Sequence, residues 1–207
     1  MTLSPRDLAI QASLPILPVP HDGELPPLPL GQRRLLLAAD GLYLEVSAPA
    51  MAATLRLAEA ALPYGPLKQR LVLPHGPLPA AHLRGLAERA KATPQQEVAG
   101  AVVWAAGQGY QLIDPEVISA SAGHISYRDT LDDAGLVLDL HSHATGPAYF
   151  SSTDDASDRA RPGPYLAMVL GRCDGPMELA LRFVSAPFLV PIPVQLLSPG
   201  AHGLVAA

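Results

Sequence analysis

From Pro79 onward the hydrophobic pattern changes period several times. Leu83, Leu86, Ala87 and Ala90 recur at i, i+3, i+4 and i+7, with Arg84, Glu88, Arg89 and Lys91 between them. That stripe predicts an amphipathic helix, ending before Thr93-Pro94. The run Glu97-Val98-Ala99-Gly100-Ala101-Val102-Val103-Trp104 is apolar on both faces, as a buried strand is. A Gly107-Gln108-Gly109 turn leads to strand candidates at residues 110–113 and 117–121. From Leu136 to His143 the chain alternates, with Leu136, Leu138 and Leu140 on one face and Asp139, His141 and His143 on the other. A short helix is expected over 154–159 and strands over 165–170 and 178–184. The apolar tail, 188–197, is broken by Pro191 and Pro193.

The N-terminal part is punctuated differently. Pro15, Pro18, Pro20, Pro26, Pro27 and Pro29 crowd the first thirty residues, which predicts an extended arm rather than regular helix. Residues 35–46 read as two strands around Asp40-Gly41, a strong hairpin signal. The Ala-rich run 51–61 is expected to be helical. Pro63, Gly65, Pro66, Pro74, Gly76 and Pro77 form a second punctuated stretch, where a domain boundary is expected. No internal repeat is visible.

Composition narrows the function classes. A chain of 207 residues that is 49% hydrophobic and 16% charged can bury a full core, and leaves little room for disorder. A net charge of -5, with Arg33, Arg34, Arg159, Arg161 and Arg172 scattered, argues against nucleic acid as the main partner. The first residues lack the pattern of a secretory signal, and no apolar run is long enough to span a membrane, so a cytoplasmic protein is expected. The single cysteine, Cys173, rules out an internal disulfide and any Cys-rich zinc module. A metal would have to be held by imidazole and carboxylate. The excess of Arg over Lys, with abundant Ala, Leu, Pro and Gly, points to a GC-rich bacterial genome.

Such a donor set is present. Two histidines at i, i+2 in extended backbone project the same way, so His141 and His143 can reach one ion at roughly 2.0–2.1 Å. Asp154 supplies a carboxylate from a new element and leaves a fourth tetrahedral position open, the mark of a catalytic rather than a structural zinc. Zinc so held lowers the pKa of water to about 7 and polarises a carbonyl. Glu97 is the carboxylate placed to act as general base, and Ser151 the hydroxyl placed to donate to an oxyanion.

Glu97, then His141-Ser142-His143, seven residues, Ser151, two residues and Asp154 resembles the signature E…H-[ST]-H-x7-S-x-x-D of the JAMM (JAB/MPN) metallopeptidases, with every position filled. The resemblance spans roughly residues 78–190. It implies an α+β fold, with a twisted mixed sheet flanked by helices, in a catalytic domain over 78–207 that follows a Pro-rich arm and accessory subdomain over 1–77. It also implies one Zn2+ per chain and hydrolysis of a peptide or isopeptide bond, often at the tail of a ubiquitin-like protein. Ala144 stands where many members carry Pro. The hairpin around Ala39-Asp40-Gly41-Leu42-Tyr43 is similar to bacterial JAB-domain proteins of the PRTRC system, which implies adenylating and conjugating-enzyme-like partners.

Plainer readings stand beside these. Ser151-x-x-Asp154 is also a helix-capping pattern, and both readings can hold together. Ser152 and Asp155 repeat the spacing one residue late. Glu97 could be a surface acid between helix and strand. Asp139 could orient an imidazole or be a polar residue at a sheet edge. His21, His75, His82, His124 and His202 read as solvated or hydrogen-bonded, Trp104 and Tyr110 as core, and Cys173 as a buried small residue. The rival functions are a JAB/MPN scaffold without catalysis, and a zinc hydrolase of a small amide or a DNA-associated substrate.

Overall fold

The computed structural model describes residues 4–121, 125–128 and 133–193. The chain divides into two compact units, one ending at Pro74 and the next beginning at His75.

The first unit is a five-stranded sheet in the order β1-β2-β3-β4-β5: Ile16–Pro18, Arg33–Ala38, Gly41–Ser47, Ala52–Glu59 and Arg70–Val72. β1 runs parallel to β2, and every other pair is antiparallel. The Asp40-Gly41 hairpin forms as expected, with Ala38 opposite Gly41. A Cβ on Gly41 would lie 2.2 Å from the Ala58 carbonyl, so only glycine fits there. Val19, Leu36, Ala38 and Tyr43 form one buried cluster. The cross-strand partners Arg34 and Glu45 make a buried ion pair at 2.6 Å.

Two expectations fail in this unit. Residues 5–13 are helix α1 (Pro5–Ser13), not an extended arm. Its one proline sits at the first helical position, where no intrahelical N–H bond is needed. Ser4 and Asp7 cap it reciprocally, and the other prolines follow its end. The Ala-rich run is strand β4, not helix, because it pairs with β3 from Ser47↔Ala52 to Gly41↔Glu59. Ala53, Thr54 and Leu55 are buried there, and sheet context overrides the helix preference of alanine.

The second unit is α+β. Helix α2 (Ala80–Ala92) precedes β6 (Ala99–Ala105) and β7 (Gly109–Ile113). Then come the β8 (Glu116–Ala120) and β9 (Ile125–Arg128) hairpin, β10 (Leu136–Ser142), α3 (Ser152–Ala160), β11 (Tyr165–Gly171), β12 (Glu178–Ser185) and β13 (Phe188–Pro191). The mixed sheet runs β13-β12-β11-β10-β6-β7. Only β10 and β11 are parallel neighbours, as a crossover through a helix requires. Leu86 and Ala90 are the buried residues of α2, and Leu86 comes so close to β6 that a Cβ on Gly100 would strike it. β11 is buried throughout, and Leu136, Val137, Leu138 and Leu140 bury β10. Among the described residues no helix is long and apolar enough to cross a membrane.

Candidate metal centre

β10 carries the first histidine as an interior strand. His141 pairs with Val169 of β11 on one side and Ala99 of β6 on the other, which fixes its backbone from both edges. His143 continues the line, its N–H donating to the Leu170 carbonyl at 2.7 Å. The two rings share a face, as their spacing requires, with their Nε2 atoms 3.2 Å apart. Asp154 arrives from α3 with Oδ1 3.3 Å from His141 Nε2 and Oδ2 3.9 Å from His143 Nε2. Ligands held tetrahedrally at roughly 2.0–2.1 Å lie about 3.3 Å from one another, so this set is close to the spacing one zinc ion needs.

The donor chemistry fits as well. Burial drives the His141 imidazole down to about 4, with His143 and Arg182 adding to the effect and Asp154 opposing it. A neutral ring keeps a lone pair for a metal. His143 Nδ1 lies 3.2 Å from the Pro147 carbonyl, which can only accept, so Nδ1 carries the hydrogen and Nε2 is left as the donor atom. The three side chains remain 12–19% exposed, so the cluster opens to solvent. Among the described residues these are the ones whose ligand atoms gather within 4.8 Å.

Ser151 is the N-cap of α3. Its N–H and hydroxyl donate to Asp154 Oδ2 at 2.6 and 2.7 Å, and its oxygen accepts from the Asp154 N–H at 3.2 Å. One pair of residues thus caps the helix and aims Oδ1 at His141. Asp155 turns away, to Arg182 at 2.6 Å and Arg159 at 3.2 Å, so the spacing repeated one residue late does not build the site.

Glu97 lies between α2 and β6, only 7% exposed, and its N–H donates to the Ser121 carbonyl at 2.9 Å. It is not the surface acid of the plainer reading. Burial, and then the charge of Asp154, push its carboxyl up to about 7. Asp139 is half-buried, and burial followed by the charge of Asp158 raises it to about 7 as well. Because β10 is interior, Asp139 is not at a sheet edge.

Of the remaining histidines, His21 and His82 lie 3.4 and 3.3 Å from the Pro63 and Tyr110 carbonyls, and His75 stacks on Trp104. His124 and His202 fall outside the described residues. Cys173 is buried, and burial raises its thiol.

Three residues around the site are given no role by the sequence, although Ser142 fills the Ser/Thr position of the signature. Ser142, between the two histidines, is fully buried, and its hydroxyl accepts from the Val98 N–H at 2.9 Å. Gly171 lets the loop after His143 pass, since a Cβ there would meet Ala148 N at 2.2 Å. Arg182, buried in β12, bonds to α3. A lone charge inside Leu179-Ala180-Leu181-Arg182-Phe183-Val184 was the available signal for it.

An interior strand that ends on two histidines, one within it and one just past it, and a capped carboxylate that meets them, define a JAB/MPN-type domain with a three-donor candidate metal site. The chain belongs to the prokaryotic homologs of the JAB domain, whose family model matches residues 79–184. A second family model, a domain of unknown function (DUF2016), matches residues 4–74. No curated protein matches the chain.

Proposed function

We propose that this protein is a zinc-dependent hydrolase of the JAMM type, acting on a peptide or isopeptide bond at the C-terminal tail of a ubiquitin-like protein or its conjugate. The observation that carries the reading is the convergence of His141, His143 and Asp154 at near-tetrahedral spacing, beside a buried carboxyl at Glu97. Zinc held there supplies Lewis acidity toward the scissile carbonyl and a water whose pKa is lowered to about 7.

The chain's own residues do the rest. Glu97, with its carboxyl raised to about 7, takes a proton from water near neutral pH and returns it to the leaving amine. Ser151 has one hydroxyl proton, now directed to Asp154 Oδ2. To serve an oxyanion that O–H must turn, while the Ser151 N–H keeps hold of Oδ2 at 2.6 Å. The choice of a ubiquitin-like substrate rests on family resemblance, as does the assignment of adenylating and conjugating-enzyme-like proteins as partners in the cytoplasm.

The test is the zinc content of wild type beside His141→Ala/His143→Ala, followed by hydrolysis of aminocoumarin amides of ubiquitin-like tails. About one zinc per chain, lost in the double variant, with turnover in wild type supports the reading. Folded wild type that takes up no zinc refutes it. Zinc-loaded protein that leaves every tail amide intact points to the scaffold alternative.

A further inference from the structure

α3 supplies the third donor, yet it has nothing apolar to hold it in place. Among its nine residues the only apolar side chains are Ala156 and Ala160, both exposed, and its one buried residue is Asp158. A helix this short is not stable alone in water, so tertiary contacts must fix it.

Those contacts centre on one buried cation. Arg182 of β12 donates from Nε to Asp158 Oδ2 at 2.7 Å and from Nη1 to Asp155 Oδ1 at 2.6 Å. Its guanidinium lies 3.8 Å from the centre of the Phe150 ring, immediately before the N-cap Ser151. Tyr165 of β11 adds a bond to Asp158 Oδ1 at 2.7 Å. Asp155 and Asp158, at i and i+3, share the helix face turned to the sheet. Asp154 sits one residue round from that face. The capping box fixes the Asp154 rotamer relative to its helix, but it does not fix the helix relative to β10.

We propose that Arg182 is the positioning residue for Asp154: by clamping α3 to β12 through Asp155 and Asp158, with Phe150 held just before the cap, it sets the distance from Asp154 to His141 and His143, and so the affinity of the metal site. This rests on the metal reading above. His141 rides on interior strand β10 and His143 follows directly after it, held by the Leu170 carbonyl, so neither needs such a clamp; the positional effect of Arg182 on the metal runs through Asp154, although its charge is also felt at His141.

The experiment is a zinc titration against a chromophoric chelator on the full chain, using wild type, Arg182→Met, Asp154→Ala and the double variant. Arg182→Met is expected to weaken zinc 10- to 100-fold, in the range typical for groups that orient a ligand. Arg182→Lys, which keeps the charge but lacks the planar fork, should recover part of the loss. In the Asp154→Ala background Arg182→Met should cost no further affinity, because the residue it positions is gone and only the loss of its charge near His141 remains. Wild-type affinity in Arg182→Met overturns the proposal, as does an equal loss in both backgrounds, which would mark a general structural role. If burying Asp158 without Arg182 prevents folding, Asp155→Ala replaces it. That variant removes one anchor at a half-exposed position, and unchanged zinc affinity there also overturns the proposal. Wild type that binds no zinc removes the metal site itself, an outcome distinct from all of these.

Discussion

Val98 and Ser142 bond to each other twice: the Val98 N–H donates to the Ser142 hydroxyl at 2.9 Å, and the Ser142 N–H donates to the Val98 carbonyl at 2.8 Å. This lashes the residue after Glu97 to the residue between the two histidines. Val98 and Ser142, 44 residues apart, thus tie the proposed base Glu97 to the two histidines of the candidate metal site.

Ser142→Ala is therefore expected to keep zinc and lose turnover. Removing the hydroxyl leaves the Val98 N–H without its partner, at a cost of roughly 1–3 kcal/mol. Glu97 then loses its register against His141. A denaturation midpoint and a kcat for tail-amide hydrolysis check this, with Ser142→Thr expected to restore both. Unchanged kcat in the alanine variant would show that Glu97 is placed by other contacts.

The same geometry shows what sequence could and could not reveal. His141 and His143 are legible because extended backbone aims i and i+2 alike; the capping spacing alone leaves Asp154 and Asp155 equal, and only the offset from His143 in the JAMM signature selects Asp154. In the second unit α2, β6, β10, β11 and β12 are legible from their hydrophobic patterns, and the α+β class from the resemblance to JAB/MPN domains. α1 is hidden because proline content alone says nothing of position, and only Pro5, at the first helical position, lies inside it. β4 is misread because alanine propensity says nothing of the neighbour that β3 provides. Arg182 is hidden for a related reason: its partners lie 24 and 27 residues away, and they meet only once the sheet and crossover exist.

Gly171→Ala should weaken the metal site without touching a donor. The new methyl would lie 2.2 Å from Ala148 N and 2.5 Å from the Pro147 carbonyl carbon, backbone that cannot swing aside. The loop is also tied to the turn just beyond β11, Arg172 N–H to the Gly146 carbonyl and Cys173 N–H to the Ala144 carbonyl. Displacing Pro147 takes its carbonyl from His143 Nδ1 and with it the fixed tautomer. Zinc affinity should fall 10- to 100-fold, with about 1–3 kcal/mol lost in stability. A chelator titration that finds wild-type affinity would refute the link.

Cys173 should be inert in the folded protein. It is buried, and burial raises its thiol, so the reactive thiolate is scarcer than in an open chain at the same pH. Ellman's reagent at pH 8 should label it slowly in native protein and rapidly in denaturant. Fast labelling of native protein would show that the region around Ser142, whose hydroxyl contacts this thiol, opens readily.

Glu97 should make the metal-free protein less stable as pH rises. Its carboxyl is raised from 4.5 to about 7 on folding, so between those values the folded state binds more protons than the unfolded state. Stability is then fully present below about 4.5 and is lost as pH rises through about 7, by at most about 3 kcal/mol. Glu97→Gln removes this penalty while keeping the shape. In chelator-treated protein the Tm of Glu97→Gln should match wild type near pH 4.5 and exceed it at pH 8. Zinc should narrow the gap, since a cation beside the carboxylate favours its charged form. The same variant should bind zinc and fail to hydrolyse tail amides. A Tm difference that is flat with pH would mean that Glu97 titrates normally, and would remove the physical basis for its role as base near neutral pH.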